Sequence, residues 1–149
     1  MNNVANDDSG RDAYALARKV ADVMYQRDYA AQHLDVKIED VGPDYAVVTM
    51  VVKPHMVNGH DICHGGMTYA LADTAFAYAC NARNVATVAS GCAIDYLAPA
   101  HKGDTLTATA RETAHNGRQS IYDAIITNQT GTVIATFRGR SASLKKPVL

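Results

Sequence analysis

Along this chain of 149 residues the hydrophobic pattern changes period three times. Over residues 11–28, Leu16, Val20, Val23 and Met24 recur at helical spacing. Arg18, Lys19, Asp22 and Arg27 fill the opposite face, which predicts an amphipathic helix. Ser9 and Asp12 resemble a capping box at its start, weakened by Gly10. Residues 33–41 and 45–53 are then rich in β-branched side chains, and Gly42-Pro43-Asp44 supplies turn chemistry between them. The segment 67–81, MTYALADTAFAYACN, returns to helix formers but carries apolar side chains on every side of the axis. A helix of that kind is wrapped by other structure. Strands are predicted over 85–97, 105–114, 120–128 and 132–143, with Asn116-Gly117 as a tight hairpin and Thr130-Gly131 as a further turn. The order is helix, two strands, buried helix, then three or four strands. That is an α+β chain in which one antiparallel sheet holds one central helix.

Composition narrows the class. The length fits a single domain spanning 1–149, with a polar, acidic stretch at 1–10 expected to be flexible. With 48% hydrophobic and 19% charged residues the chain is a globule and not a disordered tail. The formal net charge is −1 and no Lys/Arg cluster exceeds Lys145-Lys146, which argues against a nucleic-acid partner but leaves room for a small phosphorylated ligand. No apolar run approaches the roughly 20 residues needed to span a bilayer, and the acidic N-terminus lacks the pattern of a secretory signal. Cys63, Cys80 and Cys92 form no CxxC pair and are odd in number, so they are read as reduced thiols of a cytoplasmic protein.

Two features carry candidate chemistry. Asp73 is the one charge in the apolar helix, where lost hydration raises its proton affinity and suits it to act as general base or nucleophile. Alternatively it is a buried carboxylate bonded to a neighbouring hydroxyl such as Thr74 or Tyr69. His64-Gly65-Gly66 directly precedes the helix, and its glycines leave free amides at the positive helix end, suited to a carbonyl oxygen or developing oxyanion. The alternative is a plain strand-to-helix turn. Gly65 and Asp73 are separated by about 12 Å along a helix rising about 1.5 Å per residue. Reacting groups must converge within roughly 3–3.5 Å of one carbon. If both serve one substrate, they come from two chains whose helices run antiparallel across an interface.

The stretch Asn58-Gly59-His60-Asp61-Ile62-Cys63-His64-Gly65-Gly66, then Ala72-Asp73 and Phe76-Ala77-Tyr78-Ala79-Cys80-Asn81, resembles the PaaI-type branch of the hotdog-fold thioesterases of phenylacetate degradation. The similarity continues through Ile94-Asp95-Tyr96-Leu97-Ala98-Pro99, Gly103-Asp104-Thr105-Leu106 and Phe137-Arg138-Gly139, and covers most of the chain from about Arg11 onward. It implies a hotdog fold whose sheet wraps the central helix and continues across a homodimer, with a homotetramer expected. It also implies an acyl-CoA thioesterase acting on aryl-acetyl-CoA esters, with coenzyme A as part of the substrate, no further cofactor and no metal. The resemblance assigns Gly65 N–H to the thioester carbonyl, Asp73 of the partner chain to water activation or direct attack, Asn58 to positioning, and His64 to the loop or the substrate. Gly66, Ser90, Tyr96, Pro99, Gly117 and Arg118 are then expected to hold the thioester and the coenzyme A arm. Lys102, Arg138 and Arg140 are phosphate candidates that serve equally well as solvated surface charges. Met67, Leu71, Phe76 or Ala77 would floor the acyl pocket. The C-terminal stretch 145–149 lies outside the resemblance.

Other readings use the same residues differently. His55, His60, Asp61, Cys63 and His64 offer zinc-type donors, although their spacings match no familiar site. Cys63 with His64 would form a nucleophilic dyad, against which adjacent side chains diverge in an extended segment. A non-catalytic acyl-CoA binder and a hotdog enoyl-CoA hydratase or dehydratase share the fold, which by itself does not select the activity.

Overall fold

The computed structural model describes residues 8–149. Helix α1 (Asp8–Tyr25) and the short helix α2 (Tyr29–His33) precede strands β1 (Lys37–Gly42) and β2 (Tyr45–Val51). Helix α3 (Gly65–Asn81) follows, then β3 (Thr87–Tyr96), β4 (Thr105–Asn116), β5 (Gln119–Thr127) and β6 (Val133–Ser143). The six strands form one antiparallel sheet in the order β1-β2-β4-β5-β6-β3, and α3 touches all six.

Period-2 alternation places one face of the sheet on that helix. Ala46, Val48 and Met50 of β2, Leu106, Ala108 and Ala110 of β4, and Tyr122, Ala124 and Ile126 of β5 are all buried. Small residues at many of these positions bring the sheet close to α3, whose Phe76 ring fills the gap against Tyr122 (5.6 Å between centroids) and Phe137 (5.8 Å). The α3 pattern, apolar on every side, is thus explained by enclosure.

The structure revises the local expectations in four places. Residues 8–10, expected to be flexible, belong to α1, while residues 1–7 lie outside the described residues. The buried face of α1 is Ala17, Val20 and Ala21, whereas Leu16 is 36% exposed; small side chains let the helix lie close to its neighbours. His33, expected to open a strand, ends α2 instead, a single turn started by the Asp28 carboxylate accepting from the Ala31 amide at 3.0 Å. The β4–β5 hairpin turns on Gly117-Arg118, flanked by the pair Asn116 and Gln119, with Gly117 at φ +61° in the first central position as a type II′ turn requires.

Candidate active site

The start of α3 is built by backbone and side-chain ties to three neighbouring segments. His64 N–H donates to Met56 O and Cys63 N–H to Ala100 O, each at 2.7 Å. The His64 ring then caps the helix, its Nδ1 accepting from Gly66 N–H at 2.9 Å. An accepting Nδ1 places the ring proton on Nε2, which leaves a donor on the exposed side. Gly65 N–H, the first amide of the helix, has no partner among the described residues and sits at the positive helix end. The Tyr96 hydroxyl donates to Gly65 O at 2.7 Å, and its ring lies so close that a Cβ at position 65 would stand 2.9 Å from the hydroxyl oxygen. A side chain at position 65 would therefore push the exposed Tyr96 ring outward and disturb its bond to Gly65 O. Asn58 organises the preceding loop, its Oδ1 accepting from His60 N–H at 2.9 Å and Ile62 N–H at 3.4 Å. Asn58, Gly65, Tyr96 and Pro99 line one open cleft of about 550 Å³, and His64 and Gly66 lie exposed at the helix start.

Asp73 lies two turns along the helix in a different cleft, of about 520 Å³, that it shares with Phe76, Ala77 and Cys80. It is half-buried, and its carboxyl is held above the ordinary aspartate range, chiefly by lost hydration and secondarily by the negative charge of Asp28. Neither hydroxyl considered from sequence bonds it. Thr74 Oγ1 donates instead to Ala70 O at 2.7 Å. The nearest donor is the Cys92 thiol on β3, 4.0 Å from Asp73 Oδ1. Tyr69, one turn before Asp73 on the same face, is pushed up to about 12 by its hydrogen bond to the Cys92 sulfur and then by burial. The Tyr69–Cys92–Asp73 grouping was not read from the sequence. The spacing of Tyr69 and Asp73 was visible, but Cys92 joins them only through the sheet.

The remaining predicted residues are scattered. Ser90 Oγ donates to Arg140 O at 3.2 Å, and both line a third cleft at the β4–β5 hairpin base. Arg118 at the hairpin tip donates twice to Ser143 O. Arg138 makes a forked pair with Asp123, Nε to Oδ1 at 2.6 Å and Nη2 to Oδ2 at 2.8 Å, on the sheet face away from α3. Lys102 is exposed in the turn before β4. Phe76 and Ala77 line the Asp73 cleft, whereas Leu71 is fully buried in the core. Cys63 points inward to the Thr68 hydroxyl at 3.6 Å, with its thiol pushed up by burial, so it forms no dyad with the capping ring of His64. Among the described residues no three His, Cys, Asp or Glu side chains stand together as a metal-holding group, and no helix is long and apolar enough to cross a membrane.

Comparisons with known proteins agree with this layout. The chain is 51% identical over 122 residues to the acyl-coenzyme A thioesterase PaaI of Escherichia coli strain K12, spanning 81% of this chain and 86% of that protein. The solved structure of the E. coli PaaI protein from the phenylacetic acid degradation operon superposes with a TM-score of 0.89 at 44% identity, covering 91% of this chain and 98% of that one. A mutant form of the phenylacetic acid degradation protein PaaI from Thermus thermophilus superposes with a TM-score of 0.75 at 34% identity, covering 78% of this chain and 100% of that one. The Thioesterase superfamily model matches residues 60–135, from the loop before His64 to the early part of β6. With the free amide at the head of α3 and the carboxylate two turns along it, this chain belongs to the thioesterase superfamily, as a thioester hydrolase with the hotdog fold.

Proposed function

We propose that the chain hydrolyses aryl-acetyl-CoA thioesters, phenylacetyl-CoA or a ring-hydroxylated form, to the free acid and coenzyme A at a site completed by two protomers. The observation that carries this reading is the division of labour on α3. Its free Gly65 amide and its Asp73 carboxylate open into separate clefts of one protomer, about 12 Å apart along the helix. A second chain, its helix antiparallel, would bring its own Asp73 to the first chain's Gly65. The edge of β3, which among the described residues pairs only with β6, supports a sheet continued across a homodimer, and two such dimers would form a homotetramer.

In this site the thioester oxygen accepts from Gly65 N–H, and Asp73 of the partner takes a proton as a water oxygen bonds to the carbonyl carbon. The tetrahedral oxyanion is stabilised by the amide and the helix end. Its collapse breaks the C–S bond, and the departing thiolate recovers the proton from Asp73. A carboxylate of raised proton affinity suits that exchange. Asn58 and His64 hold the loop and the helix start in register, while Ser90, Tyr96, Pro99, Gly117, Arg118 and Arg140, which lie in separate parts of one protomer, would grip the coenzyme A arm in the assembled enzyme. No metal or cofactor enters the step, and the enzyme works in the cytoplasm, its cysteines reduced.

Thiol release measured across a panel of acyl-CoA esters tests the reading, with phenylacetyl-CoA expected among the best substrates and enoyl-CoA hydration absent. Asp73→Ala should keep its fold by circular dichroism and lose at least about 100-fold in turnover, the lower end of what a general base contributes. Hydrolysis by that variant at the unaltered rate would remove Asp73 from the chemistry.

A further inference from the structure

Beyond β6 the chain turns back over the end of α3. Leu144 N–H donates to Ala86 O and Ala86 N–H to Lys146 O, both at 2.8 Å. The amides of Val148 and Leu149 both donate to Asn84 Oδ1 at 3.0 Å. Asn84 sits at φ +61°, a backbone shape that asparagine adopts more readily than most residues. These four bonds press the C-terminal segment against the turn between α3 and β3. Its side chains Leu144, Pro147 and Val148 thereby form one wall of the cleft that contains Asp73, with Phe76 and Ala77 of α3 and Met24 of α1 among the other lining residues.

We infer that the segment 144–148 is the outer wall of the acyl pocket and selects which acyl groups reach the reacting carboxylate. This rests on the proposed hydrolysis at Asp73. The cleft volume of about 520 Å³ lies within the range of small-molecule sites. Among the described residues Asp73 is its one carboxylate and Lys146 its one cation, and the rest of the lining is dominated by apolar side chains. Such a surface offers little to the phosphates of coenzyme A, which need several donors, and much to an aryl or medium-length alkyl group. The occupant is therefore the acyl end of the thioester, with its carbonyl at the Asp73 end.

The test compares kcat/KM for phenylacetyl-CoA and acetyl-CoA in the unaltered enzyme and two variants. Val148→Trp fills the cleft; it should lower the phenylacetyl-to-acetyl ratio by about tenfold or more, the scale on which pocket shape discriminates acyl groups. Asn84→Gly keeps the backbone shape but removes the oxygen that tethers the tail; it should lower the phenylacetyl-to-acetyl ratio by at least about threefold. Should Val148→Trp fail to fold, Asn84→Gly decides alone. A ratio unchanged in the folded variants would overturn the wall. The Asp73→Ala variant separates the two ideas: if it is inactive while the ratios stay unchanged, only the wall falls. If it is fully active, the catalytic reading falls, and the ratio still reports whether the tail selects the acyl group.

Discussion

Asp73 shows what a carboxylate gives up when folding takes it out of water. Folding raises its proton affinity, so the protonated form gains stability below the ordinary aspartate value of 3.8, and that gain is lost as the pH rises through the folded-state value. The ionised form, which the proposed mechanism uses as base, predominates only above it. The acid limb of kcat/KM should therefore lie above pH 3.8. Asp73→Asn, which keeps shape without charge, should be inactive yet melt at a higher temperature than the unaltered enzyme at neutral pH, the two melting points converging below pH 3.8. A limb at or below 3.8, or an Asn variant no more stable at neutral pH, would contradict the desolvated carboxylate. Asp73 was legible in the sequence because a lone charge in an apolar helix stands out. Tyr96 was legible only as a slot-lining residue. That its hydroxyl reaches back to Gly65 depends on where β3 passes α3, which no local pattern records.

At the scale of elements, long periodic segments were readable and short ones were not. The helix at 67–81 and the strands of the second half stand within two residues of their expected ends, because each repeats its pattern over several turns or alternations. A five-residue helix such as α2 has no room for a period. Its one cue was Asp28 ahead of Tyr29-Ala30-Ala31, and the β-branched residues that follow masked it. The junction between α3 and β3 was equally hidden. Asn81 Nδ2 donates to Ala77 O at 2.9 Å and to Thr87 O at 3.0 Å, while its Oδ1 accepts from Thr87 N–H at 2.9 Å. One buried amide thus laces the helix end to the first residue of β3. Asn81→Ala leaves the Thr87 N–H and C=O without these partners and should cost about 2–6 kcal/mol in chemical denaturation, at one to three for each of the two groups. A loss within experimental error would mean that water replaces the side chain.

For the whole molecule, distance along α3 was the strongest inference available from sequence. It needed only the helical rise and the positions of Gly65 and Asp73, and the separate clefts agree with it. Which cations meet phosphates was not legible, since an exposed arginine looks the same whether it awaits a ligand or, like Arg138, already grips Asp123. The proposed shared site makes a prediction about assembly. Inactive Asn58→Ala and Asp73→Ala chains, once mixed and allowed to exchange subunits, should recover thiol release, because each heterodimer contains one site with both side chains intact. Proven exchange without recovered rate would confine the chemistry to single protomers. Tyr96 adds a mechanical side to this. Its ring springs from the strand that, among the described residues, forms the border of the sheet, while its hydroxyl holds the peptide at the head of α3. In the proposed dimer, a chain docked along that border would press on a strut whose far end holds the Gly65 peptide, so that joining two subunits would also adjust the site they are proposed to share.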